Sequence, residues 1–185
     1  MRPKSRSSTV QSDGEFLVNL PSAAPFDQYR DRVRSEWIDD NDHMNMGYYA
    51  VVFDLATDAW FDYIGFDTEH RQKHKVANYT LECHISYLRE VGEGDPLRFT
   101  TLLLGFDEKR LHYLHQMWHE KEGYVAATIE LMHLHVSRVT RRSASMAPVL
   151  IKRLTSIRTV HETLPIPPQV GRSIGLDAKP SPEVQ

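Results

Sequence analysis

Between Met46 and Ile64 the apolar positions Tyr49, Val52, Phe53, Ala56, Trp60, Tyr63 and Ile64 recur at steps of three and four. This period matches the turn of a helix and gathers one apolar stripe. Asp54, Asp58 and Asp62 follow one another at steps of four on the opposite side, and Gly65 stands where such a helix should stop. The segment is the best helix of the chain.

Around it the pattern changes to that of strands. Tyr29 to Ile38 alternates weakly and reads as a first strand. After the helix, Val76 to Val91, Leu97 to Leu104, Arg110 to His119 and Tyr124 to Val139 are strand-like runs. They are separated by Gly92-Glu93-Gly94-Asp95-Pro96, Gly105-Phe106-Asp107 and Glu120-Lys121-Glu122-Gly123, all turn-forming stretches. Ala147 to Ile157 reads as a short closing helix. A lone apolar stripe needs cover, and an antiparallel sheet needs one face covered. The economical packing wraps a curved antiparallel sheet around the one long helix, which is an α+β arrangement.

The two ends lack such periodicity. Residues 1–25 are polar and punctuated by Pro21 and Pro25, so a flexible N-terminal arm is expected there; 26–160 form the folded domain; and 161–185 form a proline-rich tail, extended or disordered. With 185 residues, 41% hydrophobic and 25% charged, the chain has material for one core. A net charge of −3 argues against a nucleic-acid partner. No apolar run approaches the ~20 residues of a membrane-spanning helix. The N-terminus has no apolar core of a secretory signal. The one cysteine, Cys83, cannot form an internal disulfide, which suits a reducing cytoplasm.

The densest polar cluster, Asp39-Asp40-Asn41-Asp42-His43-Met44-Asn45, lies where the first strand gives way to the long helix. Five of these residues can cap a helix or build an Asx turn, and that role accounts for Asp40, Asn41 and Asp42. A cap requires only one such residue, and it leaves His43-Met44 unexplained. The capping role therefore does not account for the whole segment. In ordinary terms Asp39 is a loop acid, His43 a satisfied structural histidine and Asn45 a helix cap. A catalytic role for these three is what a family resemblance implies.

This segment, followed by Tyr48-Tyr49 and a helix, resembles the motif of the hotdog-fold acyl-CoA thioesterases of the 4-hydroxybenzoyl-CoA thioesterase type. Asp39 falls on the motif's catalytic Asp, His43 on its His and Asn45 on its Asn, while Asp42 replaces its Gly. Glycine reaches positive φ more cheaply than aspartate does, so the substitution bears on the loop's backbone geometry. Tyr79-Thr80-Leu81-Glu82-Cys83-His84-Ile85, Asp107 to His115 and His133-Leu134-His135-Val136 are similar to the branch found alone or fused behind a carnitine dehydrogenase and linked to betainyl-CoA hydrolysis. The resemblance implies a hotdog fold, an acyl-CoA substrate, a homodimer or homotetramer paired through a sheet edge, and Asp39 as general base or nucleophile. It implies neither metal nor organic cofactor. Backbone N–H groups at the helix start, about Asn45 to Tyr48, are then candidates for stabilising the oxyanion.

Other side chains are candidates for holding substrate. A trimethylammonium group would want aromatic faces, for which Tyr48, Tyr49, Trp60, Tyr87 and Trp118 are available, though aromatics on an apolar stripe also serve as core. Glu82 and His84 share a strand face and either line an acyl pocket or pair across strands. Arg138, with Arg141 and Arg142, could meet the CoA pyrophosphate or simply close a solvated strand end. His133 and His135 share a face, but two such ligands without a third do not make a metal site. Hydrolysis of a small or polar acyl-CoA leads. A medium- or long-chain acyl-CoA or acyl-ACP thioesterase, and a non-catalytic hotdog module that binds acyl thioesters, remain open.

Overall fold

The computed structural model describes residues 24–176. Its elements are β1 (Phe26–Arg32), a 3-10 turn (Ser35–Trp37), α1 (Met46–Ile64), α2 (Thr68–His74), β2 (Val76–Tyr87), β3 (Pro96–Phe106), β4 (Arg110–His119), β5 (Val125–Ser137) and α3 (Pro148–His161). All pairings are antiparallel, in the order β1-β3-β4-β5-β2. Of the arms expected at 1–25 and 161–185, residues 1–23 and 177–185 lie outside the described residues.

The long helix has the expected bounds. Asn45 caps its N-terminus by accepting the Gly47 N–H at 2.9 Å, and Gly65 ends it at φ +80°, where a side chain would be strained. Tyr49, Val52, Phe53, Ala56, Trp60, Phe61 and Ile64 are buried against the concave side of the sheet. Each large apolar side chain buried there contributes about 1.5–3 kcal/mol, so the stripe alone explains why the sheet curls around this helix. On β5, Ala127, Ile129 and Leu131 belong to the same core, which from Ala127 onward puts odd-numbered positions on the concave side and even-numbered ones on the outer face; Ala126, also in the core, sits at the register shift before this alternation begins.

Four elements differ from the sequence-based expectation, α3 among them, which runs past the expected Ile157 to His161. The first strand runs from Phe26 to Arg32 instead of Tyr29 to Ile38. At Val33 the chain hydrogen-bonds to the β2–β3 turn (Val33 N to Asp95 O, Gly94 N to Val33 O) and coils into the 3-10 turn, burying Trp37 under the Arg34 guanidinium at 4.6 Å. β2 stops at Tyr87, not Val91, because Leu88 and Arg89 both donate to the Ala126 carbonyl and the ladder ends. α2 was not foreseen. None of its residues is buried, so it has no apolar stripe to read, and the Asp67 side chain caps it by accepting the His70 N–H.

After α3 the chain crosses to the outer face of the sheet. β1 begins opposite Thr101, so Leu103 on β3 has no strand partner on that side, and His161 Nδ1 accepts its N–H at 2.9 Å. Farther on, Gly171 donates to Glu130 of β5 at 2.7 Å and His84 Nδ1 of β2 donates to the Arg172 carbonyl at 2.9 Å. The proline-rich segment thus lies as a strap over the sheet, and its own Gln169 is buried.

Candidate active site

The polar segment folds as a small hairpin pinned between the 3-10 turn and α1. Ile38 and Met44 form an antiparallel bridge, and the Asp39 N–H donates to the His43 carbonyl at 3.0 Å. Asp39 Oδ1 accepts the Asn41 N–H at 2.9 Å and the Asp39 carbonyl accepts the Asp42 N–H at 3.0 Å, an Asx turn inside a tight loop. Asp42, which stands at the motif's glycine, has φ +63°. Aspartate is among the few side chains tolerated there, so the loop keeps a glycine-like geometry at a modest cost. Met44 N–H to Val91 O and Asn45 N–H to Trp37 O, both 2.9 Å, fix the loop to its surroundings.

The hairpin delivers Asp39, half-buried, to an open cleft of about 840 Å³. His43, Met44, Met46 and Tyr49 line it from the loop and helix; Tyr87, Leu88, Arg89 and Glu90 from the end of β2; and Glu122 and Tyr124 from the β4–β5 turn. His43 Nε2 stands 3.2 Å from Glu90. In the first turn of α1, Asn45 N–H, Gly47 N–H and Tyr48 N–H have acceptors in Trp37 O, Asn45 Oδ1 and Asn45 O. The Met46 N–H is the donor with no acceptor among the described residues, and Met46 lines the cleft. Asp39 and Met46, the first residue of the helix, therefore line the same opening.

Other candidates lie elsewhere. Tyr48 stacks on Trp37 at 5.8 Å beside the loop and does not line the cleft. Trp60 is fully buried among Phe26, Tyr63, Tyr113 and His161, because its helical position points into the core. Glu82 and His84 do share a face, but it is the outer one, where they line a separate cavity of about 360 Å³ with His112 and Glu130 under the strap. Arg138 is exposed just beyond the other end of β5, roughly 40 Å along the strand from Tyr124. Trp118 is held by Thr100 and Arg98 on the outer face. Tyr124, Arg89, Glu90 and Glu122 were not foreseen. Their one sequence signal is position, at the ends of runs that strand pairing brings together.

A second polar cluster lies in the core under α1. His115 is fully buried between Thr57 of α1, at 3.0 Å, and Thr101 of β3, at 2.8 Å. The Thr57 hydroxyl donates to the Phe53 carbonyl, so it accepts from His115 Nε2–H, and Nδ1 accepts from Thr101. His133, bonded to Thr80 at 2.9 Å, lies against Phe61. Burial holds both imidazoles neutral, pushing His115 down to about 3 and His133 to about 4. Tyr113, wholly buried beside them, has its phenol pushed upward by the same desolvation. Among the described residues no group of three His, Cys, Asp or Glu side chains is arranged to hold a metal ion.

A five-stranded antiparallel sheet wrapped around one long helix, with a polar loop delivering a carboxylate to the helix N-terminus, defines a hotdog-fold thioesterase. A model of the thioesterase-like superfamily matches residues 33–154, and the chain belongs to that superfamily, as an enzyme of the acyl-CoA thioester hydrolase type. It is 40% identical over 148 residues to the betainyl-CoA thioesterase of Pseudomonas aeruginosa, covering 80% of this chain and 93% of that one. It is 37% identical to the L-carnitine dehydrogenase/betainyl-CoA thioesterase of Agrobacterium fabrum, over 81% of this chain and 30% of that longer protein. Among solved structures, a Staphylococcus aureus protein in complex with CoA superposes with a TM-score of 0.76 at 28% identity, over 80% of this chain and 93% of that one.

Proposed function

We propose that this protein hydrolyses an acyl-CoA with a small, polar acyl group, betainyl-CoA foremost, to the free acid and CoA, with Asp39 as the group that activates water. The observation that carries the reading is that Asp39 and Met46, at the start of the long helix, line one cleft in a chain 40% identical to a betainyl-CoA thioesterase. Asp39 Oδ1 is engaged by Asn41, which leaves Oδ2 for water. The carboxylate takes a proton as the water oxygen attacks the carbonyl carbon, and the Met46 N–H, backed by the helix dipole, receives the developing oxyanion. The C–S bond then breaks, and the proton held by Asp39 passes to the CoA thiolate. Direct attack by Asp39 to give an anhydride is the other route open to this carboxylate. Single-turnover hydrolysis in ¹⁸O-water separates them, since only the anhydride route can leave label in Asp39.

His43, tied to Glu90, positions the loop, and Asn45 holds the helix start through its cap. The enzyme is read as cytoplasmic and as a homodimer or homotetramer built on the free edge of β2, where Tyr79 and Leu81 are exposed. No described helix is long and apolar enough to cross a membrane. Thiol release from a panel of acyl-CoAs tests the reading. Betainyl-CoA should be turned over best, and a folded protein that hydrolyses none of the panel would overturn it.

A further inference from the structure

We propose that Tyr49, Tyr87 and Tyr124 form the pocket that holds a quaternary ammonium group on the acyl end of the substrate. This rests on the reading of the cleft as a thioester-hydrolysing site. In a betainyl thioester the nitrogen is two bonds from the carbonyl carbon, so its pocket must adjoin Asp39. That requirement removes Trp60 and Trp118 and leaves the aromatics of the cleft.

The three rings are held by their hydroxyls. Tyr87 donates to the Met46 carbonyl at 3.2 Å, Tyr124 donates to the Glu90 carbonyl at 3.0 Å, and the Tyr49 hydroxyl is bound at the Val91 backbone. With the polar ends spent on the backbone, the exposed Tyr87 ring and the side of Tyr124 away from Arg89 are left to meet a ligand, over the buried Tyr49 as a floor. Tyr49 and Tyr87 meet edge to face at 5.1 Å, which makes a corner. Tyr124 already carries a cation: the Arg89 guanidinium lies 3.9 Å from its ring centre. Ring faces attract cations through their quadrupole, and a trimethylammonium, weakly hydrated, is the kind of cation that such a wall favours. The charge of the cleft agrees. Asp39, Glu90 and Glu122 are three carboxylates, and Arg89 is the one Lys or Arg in the lining.

The test compares betainyl-CoA with 3,3-dimethylbutanoyl-CoA, of the same shape without the charge. Wild type should prefer the cation by at least about tenfold in kcat/KM, mostly through KM, and Tyr87→Leu and Tyr124→Leu should lose most of that preference. Tyr87→Phe and Tyr124→Phe, which keep the rings, should retain it. Calorimetric titration with free glycine betaine should give binding to wild type and to the Phe variants, and weaker binding to the Leu variants. Equal use of the two substrates, or Leu variants that keep the preference, would overturn the cation pocket while leaving the thioesterase reading intact. Betaine binding that depends on the rings, in a protein that hydrolyses neither substrate, would keep the pocket and overturn the hydrolase reading.

Discussion

Two polar clusters flank the long helix, and they are built on opposite terms. Under the helix, His115 has both ring nitrogens bonded to threonines and no access to water. At the helix N-terminus, Asp39 has one oxygen bonded to the Asn41 N–H and lines a cleft with Met46, whose N–H has no acceptor among the described residues. The saturated cluster stabilises the fold and has nothing left with which to meet a substrate. The unsaturated one, which we propose reacts, is held by the hairpin around it and not by its own side chains.

The comparison can be broken by exchanging the roles. Asp39→Asn should lower kcat by about 10²–10⁴-fold, the usual weight of a general base, while leaving urea denaturation within roughly 0.5 kcal/mol of wild type. Unchanged turnover would move the chemistry elsewhere. His115→Leu should do the reverse. It leaves the Thr101 hydroxyl without its buried partner and costs about 2–3 kcal/mol, with kcat per folded molecule nearly unchanged.

Acid sharpens the contrast. His115 and His133 titrate near 3 and 4 in the folded protein against 6.5 when unfolded, so the unfolded chain binds their protons first. Their contribution is fully present above pH 6.5 and is lost as pH falls from there toward 4, on the order of 1–2 kcal/mol for each by pH 5. His133→Gln should flatten that slope, as read from denaturation midpoints between pH 7 and 5. The smallest effect belongs to the loop. Asp42→Ala, at φ +63°, should cost about 1 kcal/mol, whereas Asp42→Gly should cost less.

What could be read from the sequence follows what is local. α1, its cap and its stop are set by residues within one segment, and the hairpin-forming loop announced itself by its density of Asx residues. Strand-face parity was legible too: Glu82 and His84 do share a face, as do His133 and His135. Which face looks toward the site was not legible, because parity carries no sign until the sheet is assembled. The same limit separates Tyr49 from Trp60. Both sit on one apolar stripe, yet one ring borders the cleft and the other lies deep in the core. Tyr124 and Glu90, far apart in sequence, reach the cleft through the pairing of β2 with β5.

The strap over the outer face carries a consequence for the order of folding. Its buckles are Glu130 on β5 and His84 on β2, and its root is held where His161 at the end of α3 accepts from Leu103 on β3, so it has no complete seat until three strands are in place. Contacts of such long sequence separation form late, after local helix and hairpins. Pulse-labelled hydrogen exchange during refolding should find the Gly171 amide protected after those of β4 and β5. The last stretch of chain to find its place is then the one that bridges the two halves of the sheet from behind.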